Sequence, residues 1–231
     1  MHAARCQSLC DAATTAARHQ QLSLTALGRA SERAITPKAA IKRMDRLLGN
    51  NLLHRERLLV YRALAQTVLR ERRQTVLVLD WTAVSPGGHW YALRAAQISQ
   101  GRTLTVFDAV YPQVAMERSA TIAEVLRQLA QVLPAGCTPL LILDAGFRSH
   151  WFAAITARGW HWLARIRNNT HCRMHGQSHW QACKTLYVRA TRRPQRLGRC
   201  ALTRGRPQDC TLYLYQRQRK GRHAYRNGKR C

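Results

Sequence analysis

Two aspartates, Asp80 and Asp144, each close a run of apolar residues: Thr75-Val76-Leu77-Val78-Leu79 leads to the first and Pro139-Leu140-Leu141-Ile142-Leu143 to the second. Short aliphatic and β-branched runs of this kind read as buried strands. A carboxylate at the end of such a strand costs free energy unless something positive binds it. Two such strands side by side bring both carboxylates to one sheet edge. Hard oxygen ligands placed that way suit Mg²⁺ or Mn²⁺, and two ions about 3.5–4 Å apart can activate a water and stabilise the leaving oxygen of a phosphodiester. Either acid alone is more often a strand-end cap or an ion-pair partner for a nearby arginine; the pair, in this strand order, favours the metal-binding reading.

The elements around these acids follow from periodicity. Trp90 to Ser99 and Thr103 to Tyr111 read as two strands joined in a hairpin through Gln100-Gly101-Arg102. Residues 117–133 place Ile122, Val125, Leu126, Leu129 and Val132 at helical spacing. A helix from Ser149 to Arg158 and a strand from Trp160 to Arg167 follow. The order β-β-β-α-β-α-β specifies a mixed α/β fold with helices on the faces of one sheet. After residue 168, alternating runs such as Thr185 to Ala190 and Thr211 to Gln216 read as strands of a small basic β-subdomain. The stretch from Arg217 to Cys231 is polar and basic and is expected to be poorly ordered.

The N-terminal segment reads as helices. One begins near Ser23 with Leu24, Leu27 and Ala30 on one face. The next accepts Pro37 in its first turn, carries Ile41, Met44, Leu47 and Leu48, and stops at Gly49-Asn50-Asn51. Its other face shows Lys38, Lys42, Arg43 and Arg46. A longer helix has Leu58, Leu59, Tyr61, Leu64, Val68 and Leu69 as its apolar set. Short helices with one basic face suit a helix-turn-helix-like DNA-binding bundle.

Across 231 residues the chain carries 38 Lys and Arg against 11 Asp and Glu, a formal net charge of +27. The excess is uneven: net +9 over residues 1–75, +2 over 76–165 and +16 over 166–231, where Asp209 is the one acid. A nearly neutral middle between two basic flanks fits a chemical scaffold with two phosphate-gripping surfaces; the charge by itself fits a solvated basic face as well. The 46% hydrophobic content excludes a disordered basic tail, and no stretch has the roughly 18 apolar residues of a membrane helix. Arg5, Asp11 and Arg18 break up the Ala-rich start, so no signal peptide is expected there. The eight cysteines form no Cys-x-x-Cys pair, which favours reduced, unligated thiols over zinc.

Leu79-Asp80-Trp81-Thr82, the hairpin from Leu93-Arg94-Ala95-Ala96 through Gly101-Arg102, Tyr111-Pro112, Leu143-Asp144-Ala145-Gly146-Phe147-Arg148 and the run Gly159 to Arg167 stand in one order and spacing. Together they resemble bacterial insertion-sequence transposases of the DDE class, in the insertion-sequence-four (IS-four) family and its cut-and-paste transposon branch, over residues 20 to 225. The resemblance implies a ribonuclease-H-like catalytic core at 73–167, with Asp80 and Asp144 as the first two catalytic, metal-binding acids and Mg²⁺ or Mn²⁺ as cofactor. It implies an N-terminal all-α DNA-binding domain at 1–72, on which Lys38, Lys42, Arg43 and Arg46 would contact DNA, and a β-rich insertion at 168–231. Arg148 is a phosphate contact by its position, or else a solvated helix-terminal residue. The partner implied is double-stranded DNA, both transposon ends and target, with a homodimer on DNA as a further expectation, in the bacterial cytoplasm at the nucleoid. Trp81, Trp151, Trp160 and Trp162 read as packing residues rather than base-stacking ones.

The same family places its third acid, a Glu, in a Tyr-x-x-Arg-x-x-x-Glu signature. Here no Glu follows Glu124, and three residues after Tyr213, Tyr215 and Tyr225 stand Gln216, Gln218 and Gly228. Asp209, inside the basic insertion, is a poor substitute. The expectation is therefore the N-terminal part of a longer transposase, truncated before its third catalytic acid and inactive alone. The alternatives are a non-catalytic DNA-binding remnant that competes for transposon ends, and a basic RNA-associated protein.

Overall fold

A computed structural model describes residues 2–32, 34–70 and 72–216; the basic stretch from Arg217 to Cys231, with Tyr225, lies outside the described residues. Two compact units emerge: Met1–Glu71 with Gln128–Pro134, and Arg72–Arg127 with Ala135–Cys231.

The first unit is helical: α1 (Ala3–His19), α2 (Leu24–Arg29), α3 (Pro37–Leu48) and α4 (Asn51–Leu69). Each of the last three begins at a side-chain cap, because Ser23, Thr36 and Asn50 accept the backbone N–H groups that a first turn leaves unpaired. Pro37 occupies the first turn of α3, where its missing N–H costs nothing. Helices α2 and α3 cross at Gly28, whose position would put a Cβ 2.5 Å from the Ile41 side chain and 2.6 Å from its backbone. The buried face uses Leu27, Ala40, Met44, Leu47, Ala65 and Leu69. Leu59 and Leu64, expected in the apolar set of α4, are exposed, because the buried stripe of that helix instead follows Ala65 and Leu69.

The second unit holds both sheets. Strands β1 (Gln74–Ala83), β2 (Trp90–Ser99), β3 (Arg102–Pro112), β4 (Thr138–Leu143) and β5 (His161–Ala164) form one sheet in the order β3-β2-β1-β4-β5. The β1–β2 and β2–β3 pairs are antiparallel, whereas β1–β4 and β4–β5 are parallel and reached through helices α5 (Ser119–Val132) and α6 (Ser149–Ala157). Between β2 and β3 the two-residue turn Gln100-Gly101 takes positive φ at both positions (45° and 78°), the geometry that matches strand twist in a hairpin. Leu77, Leu79, Leu93, Phe107, Leu141 and Leu143 are fully buried along this sheet. The mixed sheet and its β-β-β-α-β-α-β order are as the periodicity predicts.

The second sheet is antiparallel, order β7-β6-β8-β9, from β6 (His171–Met174), β7 (Gln181–Ala182), β8 (Gln195–Leu202) and β9 (Gln208–Leu214). Here one expectation fails. Thr185 to Ala190 is no strand; it falls in a 3-10 helix over Cys183–Arg189. Cys183 and Leu186, three apart, are the residues of that segment that reach the core, while Val188 is 90% exposed. Three-residue spacing aligns side chains on a 3-10 helix and splits them across a strand.

Candidate active site

Strands β1 and β4 are parallel neighbours, and their register sets Leu79 beside Leu143. The next residue on each chain is an aspartate, so Asp80 and Asp144 lie side by side where β4 ends. Both depart from expectation in one respect. Asp80 is three residues inside β1, because that strand continues through Trp81 to Ala83 against Tyr91 to Leu93. Both side chains are also exposed, so the desolvation cost inferred for a buried strand end does not apply. Alternation explains this: Leu79, on the buried face, is 1% exposed, and Asp80 turns to the other side.

Short local bonds orient the two carboxylates. Thr82 donates its hydroxyl to Asp80 Oδ2 at 3.1 Å, and the Gly146 backbone N–H donates to Asp144 Oδ1 at 2.7 Å. A Cβ at position 146 would sit 2.8 Å from that same oxygen, so a larger residue there would shift the Asp144 carboxylate. One oxygen of each carboxylate is left for another ligand. A charged row crosses the sheet from this point: Asp80 pairs in register with Arg94, and Arg94 with Asp108. Arg94 binds Asp108 through two nitrogens, at 3.0 and 3.1 Å, which directs its guanidinium toward β3. Two adjacent carboxylates are a donor set of the right chemistry for a hard divalent ion. Among the described residues, however, no group of three or more His, Cys, Asp or Glu is arranged to hold a metal.

Cations gather on the loop that leaves Asp144. Arg148 is exposed at the N-cap position of α6. Arg165 and Arg167 stand one strand period apart just beyond β5: the Arg165 backbone N–H donates to Leu143 O at 3.0 Å and continues the ladder, while the Arg167 side-chain Nε donates to Ala145 O at 2.6 Å. Arg148, Arg165 and Arg167 line one small cavity of 250 Å³ beside Ala145 and Phe147. Sequence reasoning reached Arg148 and missed the other two. Their signal was the alternation Arg165-Ile166-Arg167, which puts both arginines on one face. Glu117 was missed as well. It follows β3, whose C-terminal end lies at the same sheet edge as those of β1 and β4, because β3 runs parallel to β1. Its Oε2 is buried without a hydrogen-bond partner, and burial pushes its carboxyl above the usual glutamate range against the opposing pull of Arg148, His150 and Arg167.

Aromatic packing stiffens this edge. Trp151 is 0% exposed and meets Phe147 edge-on at 5.1 Å and Trp81 at 6.3 Å, while Trp81 meets Tyr111 at 6.1 Å. Trp162 stacks on Phe152 at 4.4 Å. These three tryptophans are packing residues, as expected; Trp160 lies beneath the Arg158 guanidinium, 5.8 Å from its ring.

In the helical unit, Lys38, Lys42 and Arg46 share one exposed face of α3 at four-residue spacing. Arg43 is half-buried and engaged, donating to Asp11 at 3.0 Å and to Ser8 at 2.7 Å.

Residues 71–224 match the family model described as a transposase DDE domain. That span is two-thirds of the chain, and the protein belongs to the DDE transposase family. No curated protein and no solved structure matches it. Transposases of this family bind DNA, act in its cleavage and transfer during transposition, and generally use divalent metals. No helix among the described residues is long and apolar enough to cross a membrane.

Proposed function

We propose that this chain is the N-terminal part of an IS-four-family, cut-and-paste DDE transposase, with Asp80 and Asp144 as two of its three catalytic acids. The side-by-side placement of these aspartates on neighbouring parallel strands, one residue beyond the Leu79–Leu143 pair and within the matched family span, is the observation that carries the reading. The donor chemistry fits Mg²⁺ or Mn²⁺, which when bound supplies Lewis-acid stabilisation and an activated water. Asp80 and Asp144 would hold it through the carboxylate oxygens that Thr82 and Gly146 leave free. Arg148, Arg165 and Arg167 bind the phosphodiester beside them by charge-assisted hydrogen bonds. Residues 1–72 act as the DNA-binding domain through Lys38, Lys42 and Arg46, with Arg43 bracing α1 against α3. Residues 73–167 form the ribonuclease-H-like core and 168–231 the β-rich insertion. The protein acts on transposon ends and target DNA at the nucleoid.

With no Glu after Glu124, the third acid lies outside these residues, and the chain alone binds DNA without cutting it. Duplex binding by the 231-residue chain tests this across a salt series with Mn²⁺ present. Log affinity is expected to fall linearly with log salt, with Lys42→Ala lowering the slope by about 0.9 and no nicked product formed. Cleavage by this chain would refute the truncated reading, and a flat salt response would refute the DNA grip.

A further inference from the structure

Four of the described cysteines, Cys172, Cys183, Cys200 and Cys210, belong to the core of the second sheet, where they pack with Leu186, Leu202, Leu212 and Leu214. Neither the candidate active site nor the proposed DNA grip uses them. Their layout answers what they could bind. A tetrahedral Zn²⁺ about 2.3 Å from each sulfur needs the sulfurs about 3.8 Å apart. Strand β8 lies between β6, which carries Cys172, and β9, which carries Cys210. The backbones that carry the outer two cysteines therefore stand two strand spacings apart, about 9.5 Å, and among the described residues no group of three or more His, Cys, Asp or Glu is arranged to hold a metal. Within the set, Cys200 and Cys210 are in direct contact. They face each other in register across β8 and β9, with Sγ atoms 3.6 Å apart.

We infer that Cys200 and Cys210 form an oxidation site, a cross-strand dithiol that a small disulfide converts to an intramolecular disulfide. Directly opposed residues in an antiparallel pair have Cα atoms about 4.5 or 5.5 Å apart, and both values lie within the range of about 4.4–6.8 Å that a disulfide spans. Side-chain rotation alone has to bring the sulfurs to about 2.0 Å; no strand has to move. The two thiols are also unequal. The hydrogen bond from Cys210 pulls the Cys200 thiol below its usual value, while the same bond and burial push Cys210 up. Cys200 borders a cavity of 280 Å³ lined by Arg173, His175, Arg199 and Asp209, which gives a small reagent a path; the Asp209 charge opposes the thiolate there and the Cys210 hydrogen bond favours it.

The chemistry balances as thiol–disulfide exchange. The Cys200 thiolate attacks one sulfur of the oxidant, its S–S bond breaks, and the first thiol leaves. Cys210 then loses its proton and attacks Cys200 Sγ, forming the protein disulfide and releasing the second thiol. Two electrons pass from the cysteine pair to the oxidant, and the two protons end on the released thiols. The product closes the chain around the β8–β9 turn and ties edge strand β9 to its neighbour. This inference is independent of the transposase reading.

The folded full chain, treated with limiting dithiodipyridine and mapped by tryptic digestion and mass spectrometry, provides the test. The expected result is a disulfide joining the peptide that starts at Cys200 to the peptide containing Cys210, with two thiopyridones released per link and full reversal by dithiothreitol. In Cys200→Ala and Cys210→Ala the link disappears and the remaining thiol keeps the reagent, whereas Cys183→Ala retains the link. The oxidised wild type should also melt several degrees above the reduced form, which reports on the native fold without a variant. Cys200 and Cys210 remaining free, or each carrying its own label in the folded protein, would overturn the inference. So would a link from either residue to a different cysteine.

Discussion

The helical unit and the sheet-bearing unit are stabilised in different ways. The sheet unit fills its interior with large side chains, Trp151, Phe107 and a layer of leucines, all 0–2% exposed. The helical unit buries Leu27, Met44, Leu47 and Leu69 together with the small residues Ala40, Ala65 and Gly28, and its backbones come closest at Gly28. It gains cohesion from close backbone approach and from half-buried ion pairs, Arg5 with Glu56 at 2.9 Å and Arg43 with Asp11 at 3.0 Å. Lost volume is therefore tested most sharply at Trp151 and added volume at Gly28.

Trp151→Ala should give the largest effect. It removes a fully buried ring that contacts both Phe147 and Trp81, on the helix that follows the Asp144 loop. Emptying a site of that size costs about 3–5 kcal/mol, read as a lower urea midpoint. Trp151→Phe should cost far less, under about 1.5 kcal/mol, since it also removes an indole N–H that has no acceptor. Equal losses in the two variants would mean that the indole nitrogen, rather than packing volume, matters at this edge.

What was legible in the sequence divides along the same line. Aliphatic runs mark β1 and β4 because strands covered on both faces read as continuous apolar residues, and the caps Ser23, Thr36 and Asn50 mark helix starts by local chemistry. The adjacency of Asp80 and Asp144 followed from those strands. Their exposure did not, because it depends on how far β1 runs past Leu79, and pairing with Tyr91 to Leu93 sets that across a hairpin. Thr185 to Ala190 alternates like a strand, and only the packing of Cys183 and Leu186 into one core reveals the 3-10 geometry. Glu117 carried no motif at all; its interest arises from three strand ends converging on one edge.

Gly28→Ala tests the opposite sensitivity. Alanine has the higher helix propensity, by about 1 kcal/mol, so an open position would become more stable. At Gly28 the added methyl meets the Ile41 backbone, not a flexible side-chain end, and α2 and α3 have to separate. Overpacking of this kind costs about 1–3 kcal/mol. A net loss in thermal stability is therefore expected, and a gain would show that the helices do not cross at this residue.

The smallest expected effect depends on pH and belongs to the sheet unit. Burial, opposed in part by Arg148, His150 and Arg167, raises the Glu117 carboxyl above its usual value of 4.5. A raised acid binds more protons folded than unfolded, so stability falls as pH rises from that value through the folded one. The favourable contribution is complete below the usual glutamate range, where both states are protonated, and is lost above it. Glu117→Gln keeps the shape and removes the titration. Its stability relative to wild type should therefore grow from acid toward neutral pH, measured as the difference in urea midpoints across that range. If the difference shrinks instead, the charge of Glu117 is stabilised by its arginines more than it is penalised by burial. The carboxylate would then be part of what holds the Asp144 loop in place, and Arg148 and Arg167 would be its partners rather than free cations for phosphate.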